Sequence, residues 1–309
     1  MKSKVKLSLT IILFIVFVFF VFKKSYNLFP QVEYLYLKKV EIIDLIKQKN
    51  LHLLRYLVVY IPIFLSNLLK VDVKKLYTLY LGIIGSGLIY LSCKIFLLRY
   101  KCMKNLLYIY ILIFYIFIYC LVNGRILFAY LAEIILIFEV YSHKSRKTII
   151  LLSIFLASVS SGTMLVIVFT ILFNFLKPIK IKEIIKKRTL LIIPIIFIVA
   201  YYSQKMIEKN LVFFEGNILK VLTHGIFSTD NLDLTITISL IYLLLILIGG
   251  VLLEVKKDIV RSLIFISMLC GLFGKTTFLM CLVPIFIEFG CFINRIKIIK
   301  RGTNVKNND

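Results

Sequence analysis

Arg125, in the run Val122-Asn123-Gly124-Arg125-Ile126-Leu127, heads a long apolar stretch. A planar guanidinium held there can grip a pyrophosphate or an acidic sugar through paired hydrogen bonds, and Asn123 beside it belongs to the same candidate binding set. A second candidate cation is Lys275, in Gly274-Lys275-Thr276-Thr277. That tetrapeptide is like the end of a phosphate-binding loop, but Leu269 stands where GxxxxGK[ST] requires its first glycine and an apolar block precedes it, so nucleotide binding is rejected. General-base chemistry on a hydroxyl needs a His or a carboxylate. The interval Gln204 to Asp233 concentrates such groups in His224, Glu208, Glu215, Asp230 and Asp233, and His224 is the candidate base. Ser160, within the small-residue run Ala157-Ser158-Val159-Ser160-Ser161-Gly162, completes the candidate substrate-binding residues.

Each of these has a plain structural alternative. A single Arg or Lys at the end of an apolar helix often snorkels to the polar boundary, and a run of polar residues is often a solvated loop. The three histidines, His52, His143 and His224, form no metal pattern such as HExxH, and there is no GxSxG elbow and no diagnostic Cys/His pair. No cofactor and no metal are expected. Glu133 and Glu139 follow Arg125 in the same apolar run. Glu139 sits near its far end, whereas Glu133 lies deep and calls for a partner such as Arg55 or Lys94.

The elements that must position these residues are apolar blocks. The chain has 309 residues, is 61% hydrophobic and has a mean hydropathy of +0.98. Against the ~20 residues a helix needs to cross a bilayer, spans are predicted at 7–22, 51–69, 76–98, 106–122, 126–142, 189–203 and 234–254. The block 148–176 is too long for one upright helix and breaks at its small residues, which predicts a close hairpin of two short helices. The block 259–294 breaks at Gly271-Leu272-Phe273-Gly274-Lys275-Thr276-Thr277 and yields two more spans. The reading is therefore an all-α, polytopic integral membrane protein with about ten or eleven transmembrane helices, forming one membrane domain over 1–309. No polar interval is long enough for a separate soluble core of more than about 50 residues.

The net charge of +24 does not point to nucleic acid, because the cations cluster in short loops between spans, where the positive-inside rule and anionic lipid account for them. With the 148–176 block as a hairpin, loops 99–105, 143–147, 177–188, 255–261 and the C-terminal tail share one face and carry twenty Lys and Arg against five on the other. The richer face is predicted to be cytoplasmic. Three early crossings would contradict that count, so the side of the N-terminus and of residues 23–50 stays open. Residues 32–49 space Leu35, Ile42, Ile43 and Ile46 along one helical face, as in a segment lying on a membrane surface. Lys2, Lys4 and Lys6 before the apolar run 7–22, with no small-residue cleavage site, predict a retained first span. The six cysteines, most of them inside apolar runs, read as packing residues.

From about Phe96 to Phe175 the order of features resembles the EpsG-like family of Wzy-type polysaccharide polymerases. The features are Arg99-Tyr100-Lys101-Cys102-Met103-Lys104, the span 106–122, Arg125 with Ala129 and Ala132 following, His143-Lys144-Ser145-Arg146-Lys147, and the hairpin opening at Thr148. This covers roughly a quarter of the chain. Ile126 stands where the family usually has Gln after the Arg, and Val159 or Ser160 where it usually has a His in the bend. The resemblance implies a multi-pass protein of the bacterial cytoplasmic membrane that polymerises undecaprenyl-pyrophosphate-linked oligosaccharide repeat units at the outer face, for capsule, exopolysaccharide or O-antigen. Its implied partners are the lipid-linked oligosaccharide, membrane lipids and other polysaccharide-export proteins. Two other readings compete: a multi-span lipid-linked-sugar glycosyltransferase built on Glu33, Glu41 or Asp44, and a flippase of lipid-linked glycan.

Overall fold

An apolar run free of turn residues forms a helix because only the helix satisfies every backbone donor and acceptor within the segment. The computed structural model follows that rule. It describes residues 2–22, 35, 43–44, 53–100, 105–121, 124–142, 147–175, 201, 204, 208, 232–252, 258–272 and 274–305, and among these there is no strand. The elements are α1 (Lys2–Phe22), α2 (Leu53–Leu69), α3 (Val73–Tyr100), α4 (Asn105–Leu121), α5 (Gly124–Tyr141), α6 (Lys147–Ala157), α7 (Ser161–Phe175), α8 (Leu232–Leu252), α9 (Ile259–Gly271), α10 (Lys275–Leu279) and α11 (Leu282–Val305). The predicted span 189–203 lies outside the described residues except Tyr201, as do Asn123, His224, His52, His143, Glu33 and Glu41. Of the predicted surface segment, Leu35 is buried while Ile43 and Asp44 are exposed.

The breaks in the helices have local causes. After α2, Lys70 takes a left-handed φ of 54°, Ser66 Oγ donates to Val71 O at 2.7 Å, and Asp72 Oδ1 accepts from Lys74 N at 2.7 Å to open α3. Between α6 and α7, Ser158 N donates to Ile154 O and Ser160 N to Ala157 O, so three residues absorb the end of one helix before Ser161 starts the next. Asp258 caps α9 by accepting from Val260 N at 2.9 Å. The block 259–294 divides as the sequence predicts, but its second part holds the short α10 before α11, and α11 continues through the basic residues to Val305.

The chain forms two compact units, Met1–Ser160 with Ile285–Asp309, and Ser161–Pro284. In the first, α3 is the central helix, packed against α1, α2, α4 and α5, while α6 packs on α5. Leu81, Leu88, Ile89, Cys93, Ile95 and Phe96 of α3 are all buried. Helix α1 approaches α3 through two glycines, Val18 resting over Gly82 and the Phe14 ring filling the notch at Gly85. Small residues at such a crossing let the backbones come close. In the second unit α9 is central, with Phe173 of α7 stacked on Phe265 at 6.0 Å and Tyr242 of α8 donating to Met268 O at 3.2 Å.

The Gly85 notch makes a prediction. A Cβ at position 85 would stand 2.8 Å from Phe14 Cζ, so Gly85→Val must displace a buried ring. The expected cost is about 1–3 kcal/mol, read as a lower unfolding midpoint of the purified protein. Phe14→Ala in the same chain should recover part of it. An unchanged midpoint in Gly85→Val would show that α1 does not dock there.

Two helical stretches among the described residues are long and apolar enough to cross a bilayer by length and composition, Val73–Arg99 and Lys275–Ile293, with mean hydropathies of 1.9 and 2.0. Shorter apolar helices of 10–17 residues lie at Leu7–Val18, Tyr60–Leu69, Leu106–Cys120, Thr148–Ala157, Gly162–Asn174, Ile236–Val251 and Ile259–Gly271.

Candidate functional site

Helix α5 carries the candidate site of the first unit. Gly124 is its first residue, and a Cβ there would come within 2.8 Å of Leu81 Cδ1 and close to the Tyr77 hydroxyl, so α5 begins hard against α3. Arg125 is the second residue of the helix. Ile126, Leu127, Phe128, Ala129 and Tyr130 are all buried, so the helix enters the interior at once, while the side chain of Arg125 lies outside the described residues. The first turn of any helix also carries backbone N–H groups without intrahelical partners, and these favour anions.

Eight residues further on, about 12 Å along the axis at the usual helical rise, Glu133 is 0% exposed. Neither of its carboxylate oxygens has a hydrogen-bond partner among the described residues. The expected pairing with Lys94 does not form, because Lys94 Nζ stands over the Tyr90 ring, 5.5 Å from its centroid. The two residues face different neighbours, which their spacing in sequence could not reveal. Arg55 belongs to α2, and its side chain lies outside the described residues. Beside Glu133, Ser92 of α3 and Tyr115 of α4 share a buried hydrogen bond of 2.7 Å, and the Tyr115 phenol is within electrostatic reach of the Glu133 carboxyl. Glu139, expected near a polar boundary, is buried as well.

One functional-looking group was not singled out by sequence reasoning. Arg99 counts there as one of several loop cations, yet it is only 20% exposed and its Nη1 lies 3.7 Å from Glu288 Oε2 of α11. The same nitrogen donates to Tyr141 OH at 3.1 Å and to Cys291 Sγ at 3.2 Å, while the guanidinium lies 5.2 Å from the Tyr141 ring centroid. The node ties the last turns of α3 and α5 to α11. A signal existed: Glu288 is the only charged residue between Leu282 and Ile293, and a lone acid in such a run asks for a cation.

Ser160 follows the end of α6 and is buried at 8% exposure. Lys275 is exposed, the first residue of α10 in the second unit. There Thr277 Oγ1 donates to Cys270 O at 2.7 Å, and Gly162 at the start of α7 faces Thr276 and Thr277, so the starts of α7 and α10 lie together in this unit. In the interval 204–233, Gln204 Nε2 donates to Glu208 Oε1 at 3.0 Å on an exposed surface. Among the described residues no three or more His, Cys, Asp or Glu gather as a metal site. The described cysteines carry free thiols, all buried except Cys120.

Comparison with protein-family models, with curated proteins and with solved structures gives no match.

Proposed function

We propose that this chain is a polytopic protein of a bacterial cytoplasmic membrane that polymerises undecaprenyl-pyrophosphate-linked oligosaccharide repeat units at the outer face. The membrane placement is supported by apolar side chains turned outward along whole helices. Leu106, Ile109, Ile113 and Phe117 do so on α4, and Leu240, Leu244, Leu245, Ile248 and Val251 on α8. Water-soluble monomers rarely expose contiguous apolar surface on that scale, whereas hydrocarbon solvates it without cost.

The observation that carries the polymerase reading is Arg125 in the first turn of α5, at the head of a run of buried residues. In the reaction, the hydroxyl of an incoming lipid-linked unit attacks the anomeric carbon of the growing glycan. The anomeric C–O bond to the carrier pyrophosphate breaks, the new glycosidic bond forms, and the acceptor proton passes to a base, for which His224 is the candidate. The leaving group is an anion, so the guanidinium of Arg125 and the free N–H groups of the first turn stabilise charge that develops only as the bond breaks. Asn123 and Ser160 are the further residues proposed for substrate binding in the first unit, and Lys275 is a separate candidate cation in the second. This chemistry needs neither a nucleotide nor a metal.

A gel of cell-surface and lipid-linked glycan from cells lacking the chain tests the reading. Loss of the long ladder, with a single repeat unit still reaching the surface, is the expected result. A truncated repeat would replace the proposal with a sugar transferase, and intact repeats trapped on the inner face with a flippase.

A further inference from the structure

We propose that Glu133 is the loading site for a single small cation, a proton or an alkali ion, taken into the core of the first unit from outside the protein. Three observations converge. The side chain is fully buried, both carboxylate oxygens lack a hydrogen-bond partner among the described residues, and the residue most able to neutralise it from α3, Lys94, is turned onto Tyr90. A bare carboxylate in an apolar interior is among the costliest arrangements a protein can adopt. An acid kept there is neutralised by something that comes and goes or by a fixed partner, and ionisable groups inside apolar helical bundles commonly mark ion or proton sites.

The surroundings suit a small cation better than a larger ligand. The Tyr115 phenol of α4 is within electrostatic reach of Glu133 and shares a 2.7 Å hydrogen bond with Ser92 of α3, beside which Cys93 and Lys94 follow in the chain. Helix α6 brings Ser153, whose hydroxyl is already given to Ile149 O at 3.1 Å. On α5 itself the neighbours in the run are Tyr130 and Glu139, both buried. The Ser92–Tyr115 pair retains oxygen lone pairs that can complete the coordination of an alkali ion or relay a proton. The proposal is independent of the glycan chemistry, since it concerns the folded core and is read without substrate.

The experiment uses the full chain in lipid nanodiscs, melted across about pH 5 to 9 in choline chloride, and then at fixed pH with sodium replacing choline. Wild type is expected to lose at least about 4 °C of melting temperature as the cation is withdrawn, while Glu133→Gln, neutral at this position throughout, keeps only the shallower dependence of the remaining titratable groups. A wild-type response to pH in choline identifies the proton, and a response to sodium at fixed pH identifies the alkali ion. A wild type that responds to neither, or a Glu133→Gln variant that follows the wild-type slope, overturns the proposal in favour of a fixed partner such as Arg55. If Glu133→Gln does not fold, Glu133→Asp replaces it. A displaced midpoint then supports the site, and an unmoved midpoint overturns it.

Discussion

Arg125→Ala should lower long-chain glycan to about a hundredth of the wild-type amount or less, with the protein still present at its normal level in the membrane. The magnitude is that of removing one donor aimed at developing charge, about a hundred- to a thousandfold in rate. The selectivity of the loss follows from position. Arg125 is the second residue of α5, so the substitution does not interrupt the helix, and alanine is the best helix former available there. Gly124, one residue earlier, is the position where a side chain would strike Tyr77 and Leu81. Arg125→Lys separates charge from geometry. It keeps a cation but not the planar fork, so intermediate polymer would mark charge alone as partly sufficient, and polymer as low as in Arg125→Ala would mark the paired hydrogen bonds as essential. Normal ladders from Arg125→Ala would return this residue to the role of a snorkelling helix end. Protein quantified in the same membranes distinguishes loss of activity from loss of the chain.

The largest effect on stability is expected for Phe286→Ala. Phe286 is buried and lies at the centre of an aromatic cluster, stacked on Phe114 at 3.9 Å with an interplanar angle of 10° and on Tyr110 at 4.8 Å and 20°. Phe96 meets it edge-on at 5.9 Å and 84°, and Tyr115 at 5.7 Å and 67°. These rings come from α3, α4 and α11, so one side chain joins three helices. Truncating a buried Phe to Ala typically costs about 3–5 kcal/mol, and aromatic pairs in these geometries add to it. What is lost is contact between rings, so the effect does not depend on whether water or lipid surrounds the unit. Melting in nanodiscs should fall by about 6 °C or more, with Phe286→Leu between the two. The bond from Tyr110 OH to Phe286 O, 3.2 Å long, runs to the backbone and survives the change. An unchanged melting temperature would mean that α11 is held chiefly by the Arg99–Glu288 node two residues further on.

The positions of the helices were readable in the order of residues. The runs 76–98, 106–122, 126–142 and 234–254 became α3, α4, α5 and α8 with shifts of only a few residues at their ends. The breaks at 157–162 and 271–277 also fell where small residues interrupt apolar runs. Both signals are local. A helix is sustained by bonds four residues apart, and it ends where a Ser or Asp side chain offers the backbone another partner or a Gly frees its conformation.

Partnerships between helices were not readable in the same way. Lys94 and Glu133 look complementary as letters, yet one faces Tyr90 and the other an interior without a partner among the described residues, because the rotation of α3 against α5 decides what each side chain meets. Arg99 finds Glu288 across most of the chain, and Phe14 finds Gly85, for the same reason: such contacts depend on which helical faces oppose one another at a crossing. Composition and apolar run length alone determined that the described residues are helical, where those helices lie and where they break, since those follow from short-range hydrogen bonding. Only the tertiary structure decided that Glu133 is sealed in the core, that the helix opening at Gly124 is buried from Ile126 onward and that Phe286 joins three helices. Those outcomes come from close packing between distant segments, where ring shape and glycine notches select one arrangement among many that the same apolar runs would permit.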